Sequence, residues 1–161
     1  MIQANGRTLG FTLIELVVAL ALVGLLALVS VPLYEVASTR MKEAELRGAL
    51  RTIRSAIDAY KAAADSGAIA KGATESGYPP SLEVLVYGVD AQRDAAARRL
   101  VFLRQLPRDP FHPDPATPPA QQWATRSYGS PPDDPQPGAD VFDVASRSRR
   151  VGSNGVPYRE W

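Results

Sequence analysis

The side chains able to do chemistry are few, and their spacing decides what each could do. Glu15 is the only ionisable residue in an apolar stretch that runs from Phe11 to Val31. Asp133, Asp134, Asp140 and Asp143 are close enough in sequence to suggest carboxylate ligands for a hard cation such as calcium. Asp133-Asp134 could also act as a hydrolytic carboxylate pair, but adjacent acids in a Pro-rich stretch more often form a solvated turn. His112 is the single histidine and lies between Phe111 and Pro113, with no Gly-x-Ser-x-Gly or Ser/His/Asp pattern around it. The chain has no cysteine, which excludes disulfides, thiol catalysis and Cys-based zinc sites. No glycine loop of the Walker or dinucleotide type is present. The sequence therefore reads as non-enzymatic, with no cofactor expected.

Glu15 remains the unusual group. As a helix, residues 11–31 would cover roughly 30 Å, the thickness of a bilayer core. A carboxylate inside such a run costs about 2.5 kcal/mol or more unless something pairs with it. The first ten residues are polar, and Arg7 is their only charged side chain. A secretory signal peptide places its small-residue cleavage site after the apolar region. Here Gly10 precedes that region, so cleavage after Gly10 would leave the apolar run on the mature protein. A plain single-pass anchor is the simpler alternative.

Gly10-Phe11-Thr12-Leu13-Ile14-Glu15-Leu16-Val17-Val18 resembles the prepilin motif of bacterial type IV pilins and type II secretion pseudopilins. The resemblance implies a leader over residues 1–10, cleavage by prepilin peptidase between Gly10 and Phe11, and N-methylation of Phe11. It further implies that Glu15 pairs with the amino terminus of a neighbouring subunit and sets assembly register. An α-amine is largely protonated at neutral pH, so it could neutralise a buried carboxylate. Arg40, Lys42, Arg47, Arg51 and Arg54 outnumber Arg7, and positive-inside counting alone would leave the body in the cytoplasm. The motif implies the reverse: a single-pass protein of the bacterial inner membrane, its C-terminal domain in the periplasm. Gly24 and Pro32 are helix breakers, and Pro32 should kink or weaken the preceding turn. They match positions where the resemblance implies unwinding in assembled filaments.

The elements that follow must carry this anchor. Residues 11–33 form the membrane or filament-core helix, and residues 34–66 an amphipathic continuation. Leu46, Leu50, Ile53, Ile57, Tyr60 and Ala64 share one helical face, while Arg47, Arg51, Arg54, Asp58 and Lys61 fall largely off it. Residues 67–161 form a globular domain. Ser81 should cap a helix that buries Leu82, Leu85 and Val86, and a further helix is expected over about 94–106. Ten of the 14 prolines lie between Pro107 and Pro137, which predicts a non-helical surface loop. Strands are expected over Trp123–Tyr128 and Asp140–Ser146, with Val156–Trp161 closing or packing on a small antiparallel sheet. The fold class is α+β and type IV pilin-like, a long N-terminal helix packed on that sheet.

Tyr78-Pro79-Pro80-Ser81-Leu82 and Leu106-Pro107-Arg108-Asp109-Pro110-Phe111 resemble segments of the major, G-type pseudopilin of type II secretion, in the same order. That group commonly binds calcium in a loop after the strand resembling Asp140-Val141-Phe142. Here Arg147, Arg149 and Arg150 occupy that loop, and cations oppose divalent-ion binding. Asp133 and Asp134 are the alternative ligand source, and solvated acids are the favoured reading. The resemblance implies a structural subunit of a periplasmic pseudopilus, one that moves exoproteins through the outer membrane. Its partners would be other copies, other pseudopilins, prepilin peptidase, the inner-membrane assembly platform and, before assembly, the lipid bilayer. A minor type IV pilin, serving pilus assembly, adhesion or DNA uptake, is the second reading. A membrane-anchored periplasmic enzyme or binding domain is the third. Basic and acidic residues number 18 and 17, with no block of like charge, so nucleic acid is not an expected partner.

Overall fold

A computed structural model of the chain describes residues 10–71, 76–92 and 98–161. The leader residues 1–9, Gly72 and the first part of the expected 94–106 helix lie outside them. The chain divides into two compact units, Met1–Arg40 and Met41–Trp161.

Helix α1 spans Leu13–Asp65, 53 residues, and belongs to both units. Its start follows from local chemistry. Thr12 Oγ1 accepts a hydrogen bond from the Glu15 N–H at 3.3 Å, satisfying one of the donors that a helix N-terminus leaves free. Within the first unit the large apolar side chains face outward: Phe11 and Leu13 are 81% and 84% exposed, and Leu20, Leu25, Leu28 and Leu33 are exposed as well. The helix is long and apolar enough to cross a membrane. Pro32 lies inside it without interrupting it, so the expected weakening does not take the form of a break. The turns on either side keep their own hydrogen bonds and carry the helix past the one missing N–H.

In the second unit α1 supplies the core. Leu46, Leu50, Ile53, Ile57, Tyr60 and Ala64 are buried as a stripe, each worth about 1.5–3 kcal/mol for the larger side chains. They pack with Leu85, Leu103, Leu106, Trp123, Val144 and Tyr158. Helix α2 spans Leu82–Tyr87 and buries Leu82 and Leu85, but its Ser81 cap position makes no side-chain hydrogen bond. Strands β1 (Val89–Asp90) and β2 (Arg99–Leu100) pair antiparallel. A side chain at Gly88, where φ is 74°, would sit 2.6 Å from the Leu100 carbonyl oxygen, so only glycine fits this turn.

Residues 98–106 are therefore not helical, contrary to the sequence reading. Phe102 and Leu103 donate their N–H groups to the Leu85 carbonyl, and this tertiary pairing displaces the local helical pattern. Within the proline-rich segment a four-residue helix, α3, spans Pro119–Gln122, also contrary to expectation. Proline at a first helical position is tolerated, because the N–H it lacks would be unpaired there.

Strand β3 (Trp123–Arg126) pairs antiparallel with β4 (Asp143–Ser146), Trp123 opposite Ser146 and Arg126 opposite Asp143. Both are shorter than expected, and the sheets are two separate two-stranded pairs. The C-terminus packs as a 3-10 turn, Tyr158–Glu160, and bridges through Pro157 to Val151. The two proline motifs seat this hairpin. The Pro79 carbonyl accepts the Val141 N–H at 2.8 Å, and the Pro107 carbonyl accepts Trp123 Nε1 at 3.0 Å. Asp109, buried, accepts the Ser146 hydroxyl at 2.6 Å and the Phe111 N–H at 2.8 Å. The architecture is α+β, a long N-terminal helix with small antiparallel sheets, consistent with a type IV pilin-like fold.

Candidate functional site

Gly10, Phe11 and Glu15 are all exposed at the start of the first unit. Thr12 immediately precedes the helix, which begins at Leu13 and places Glu15 in the first turn, where the helix dipole favours a negative charge. Glu15 thus carries its carboxylate four residues beyond Phe11, surrounded on its own helix by exposed Leu13, Ile14, Leu16 and Val18. An acid set in an outward-facing apolar surface needs a cationic partner once that surface is covered. Gly24 and Pro32 lie farther along the same helix.

A family model, the prokaryotic N-terminal methylation motif, matches residues 6–31. The chain has a prepilin-type N-terminus. Gly10, Phe11, Glu15 and Gly24 fall within the matched stretch. Such a motif indicates a type IV pilin-like protein, and it implies processing by prepilin peptidase and polymerisation into pilus-like filaments. No curated protein and no solved structure matches the chain. With the apolar helix, the motif marks a membrane anchor followed by a soluble C-terminal domain.

Several acidic residues of the second unit are held by partners within it. Asp140 is buried and accepts hydrogen bonds from the Ser127 hydroxyl at 2.6 Å, the Tyr128 N–H at 2.9 Å and the Ser76 hydroxyl. Asp143 pairs with Arg54 at 2.7 Å and Arg126 at 3.9 Å. Asp133 and Asp134 are exposed, and Asp134 accepts from the Gln136 side chain at 2.7 Å. Among the described residues no group of three or more His, Asp or Glu is arranged to hold a metal ion. His112 is half-buried, its Nδ1 3.0 Å from the Asp114 carbonyl oxygen, beside an open depression lined by Lys42, Glu45 and Arg108.

Two anchoring groups escape a reading by periodicity. Glu43, 2% exposed, accepts the Ser153 N–H at 2.6 Å, the Ser153 hydroxyl, and the Tyr158 hydroxyl at 3.0 Å. Its sequence signal is an acid three residues before Leu46, on the apolar stripe itself. Arg54, one of the charges that fall off the apolar face, donates to Asp143, to the Val144 carbonyl at 3.0 Å and to the Trp161 carbonyl at 2.7 Å.

Burial pushes the carboxyls of Glu43 and Asp140 up. For Glu43, bonds from Ser153 and Tyr158 and the nearby Arg47 charge outweigh it. For Asp140, bonds from Ser127, Ser76 and Tyr128 do the same, and both groups titrate below the ordinary range. A carboxyl whose folded pKa is depressed contributes stability above its unfolded value and loses it as pH falls through the folded one. Thermal melts of the detergent-solubilised chain should therefore change little from about pH 7 to 5 and fall below about pH 4. A melting temperature that rises on acidification below that point contradicts the assignment.

Proposed function

We propose that this chain is a structural pseudopilin subunit of the G-type group, polymerising into the periplasmic pseudopilus of a type II secretion system. The observation that carries the reading is Glu15 in the first helical turn of an outward-facing apolar helix, inside a matched N-terminal methylation motif. The order of Tyr78-Pro79-Pro80-Ser81 and Leu106-Pro107-Arg108-Asp109-Pro110-Phe111, both built into the hairpin's seat, supports the narrower group. The work is polymerisation and not catalysis.

In this mechanism prepilin peptidase removes residues 1–10 on the cytoplasmic side of the inner membrane, and the Phe11 amine is methylated. The assembly platform extracts the anchor from lipid, and Glu15 of an incoming subunit pairs with the Phe11 amine of its neighbour. Unpaired Glu15 is costly in lipid, and pairing removes that cost, so filament growth is favoured over return to the membrane. The growing fibre pushes exoproteins toward the outer membrane.

Mass spectrometry of the protein from its native cell should find a mature chain beginning at N-methylated Phe11. An intact Met1, or cleavage after residue 31, overturns the reading. Deleting the gene should then trap exoproteins in the periplasm while surface pili persist. Lost pili with normal secretion would assign the chain to a pilus.

A further inference from the structure

The β3–β4 hairpin separates opposite charges in the second unit. The loop joining its strands, residues 127–142, leaves from the Arg126–Asp143 end, and the segment after β4, residues 147–155, leaves from the Trp123–Ser146 end. The first carries exposed Asp133 and Asp134, and the second exposed Arg147, Arg149 and Arg150. Among the described residues no cation pairs with either aspartate and no carboxylate pairs with these arginines. Arg147 donates to the Trp123 carbonyl at 3.0 Å and Arg150 lies over the Phe111 ring, contacts that orient the side chains without neutralising them.

The two ends are also held apart along α1. Ser153 is fastened to Glu43, whereas Tyr128 stacks on Tyr78, whose ring lies beneath Lys61. Eighteen helical positions separate Glu43 from Lys61, or roughly 27 Å. Each end adds apolar surface to its charge: Tyr128 is 61% exposed at the acidic end and Val151 58% exposed at the basic end.

We infer that these ends are the two halves of a contact between copies of this chain, the Asp133–Asp134 loop of one subunit seating on the Arg147–Arg150 segment of the next. Opposite signs on one molecule, at ends that do not meet within it, suit a heterologous head-to-tail contact, which propagates into a filament and does not close a two-fold dimer. A second copy is the occupant because each end carries the charge the other requires, and the exposed Tyr128, on the loop that carries the aspartates, offers an aromatic ring to an incoming arginine. The arginines that argue against a calcium loop here gain a role in assembly. The inference rests on the filament reading and specifies the surfaces used.

The chain has no cysteine, so introduced ones report alone. Asp134→Cys and Arg149→Cys, placed together in the full chain and oxidised in its native cell, should give a ladder of disulfide-linked multimers. Either substitution alone should stop at a dimer or monomer. Separately, Arg149→Asp should lower filament yield at least several-fold, and adding Asp134→Arg should restore it. Filaments without the ladder and without the charge-swap rescue overturn this contact and leave the filament reading standing. A wild-type chain that forms no filaments overturns both.

Discussion

Glu15→Ala is expected to leave removal of residues 1–10 intact and to abolish filament assembly. The proposed cleavage point, Gly10-Phe11, precedes the helix, whereas Glu15 belongs to the first turn of α1. The variant relieves the cost of a carboxylate in lipid, about 2.5 kcal/mol, and so should be retained in the membrane more firmly than the wild type. Removing one partner of a desolvated ion pair costs about 3 kcal/mol or more, on the order of a hundredfold in the equilibrium for adding a subunit. Sheared-filament fractions should accordingly hold little or no variant protein, while the membrane fraction holds processed, methylated chain. Glu15→Gln, close in shape, should fail in the same way, because charge and not size is required. Normal filament yield from either variant would remove the pairing mechanism. Loss of cleavage would instead place Glu15 in recognition by the peptidase.

How much of this was open to sequence reading depended on how local the governing interaction is. The α1 stripe from Leu46 to Ala64 is periodic, and every member is buried as the period demands. The expected strands fall within a few residues of β3 and β4, since β-branched and aromatic residues such as Trp123, Thr125 and Val144 are a short-range signal. The expected 94–106 helix failed over its described part because Leu100, Leu103 and Leu106 mimic a helical period. The backbone of Phe102 and Leu103 is instead claimed by the Leu85 carbonyl, far away in sequence. Ser81 occupies the cap position without using its hydroxyl, which no propensity argument could reveal. Arg54 carried the appearance of a surface cation, and only the fold brings it to Asp143 and to the carbonyl of Trp161. Of the candidate site, the Gly10–Glu15 motif was legible from residue order alone. The opposed charges of the Asp133–Asp134 and Arg147–Arg150 segments became meaningful only once the hairpin register set them at different ends.

The second large effect is expected at Glu43. Glu43→Ala leaves the Ser153 N–H, the Ser153 hydroxyl and the Tyr158 hydroxyl without their acceptor, and Tyr158 is fully buried. Hydrogen bonds to a charged acceptor contribute about 1.5–3 kcal/mol each, and the contributions are not independent, so a total loss of about 3 kcal/mol is expected. For a domain of this size that corresponds to a fall of roughly 10 °C in melting temperature. The loss should be concentrated where the carboxylate acts. Gly152 lies so close to Trp161 that a Cβ there would come within 2.4 Å of the indole, and Arg47 caps the same ring at 4.3 Å. Freeing Ser153 therefore loosens the turn that holds Trp161, and limited proteolysis should cut within residues 147–155 before any other part of the second unit. Glu43→Gln keeps an acceptor oxygen and should lose about half as much. Tyr158→Phe combined with Glu43→Ala should cost less than the sum of the two single changes, because each removes the same bond. A Glu43→Ala chain that melts within about 2 °C of the wild type would show that the carboxylate does not fasten the C-terminal segment. If it melts as expected, filament yield should fall with it even with Glu15 intact, since the Arg147–Arg150 segment is presented to the neighbouring subunit only while Glu43 holds the turn behind it.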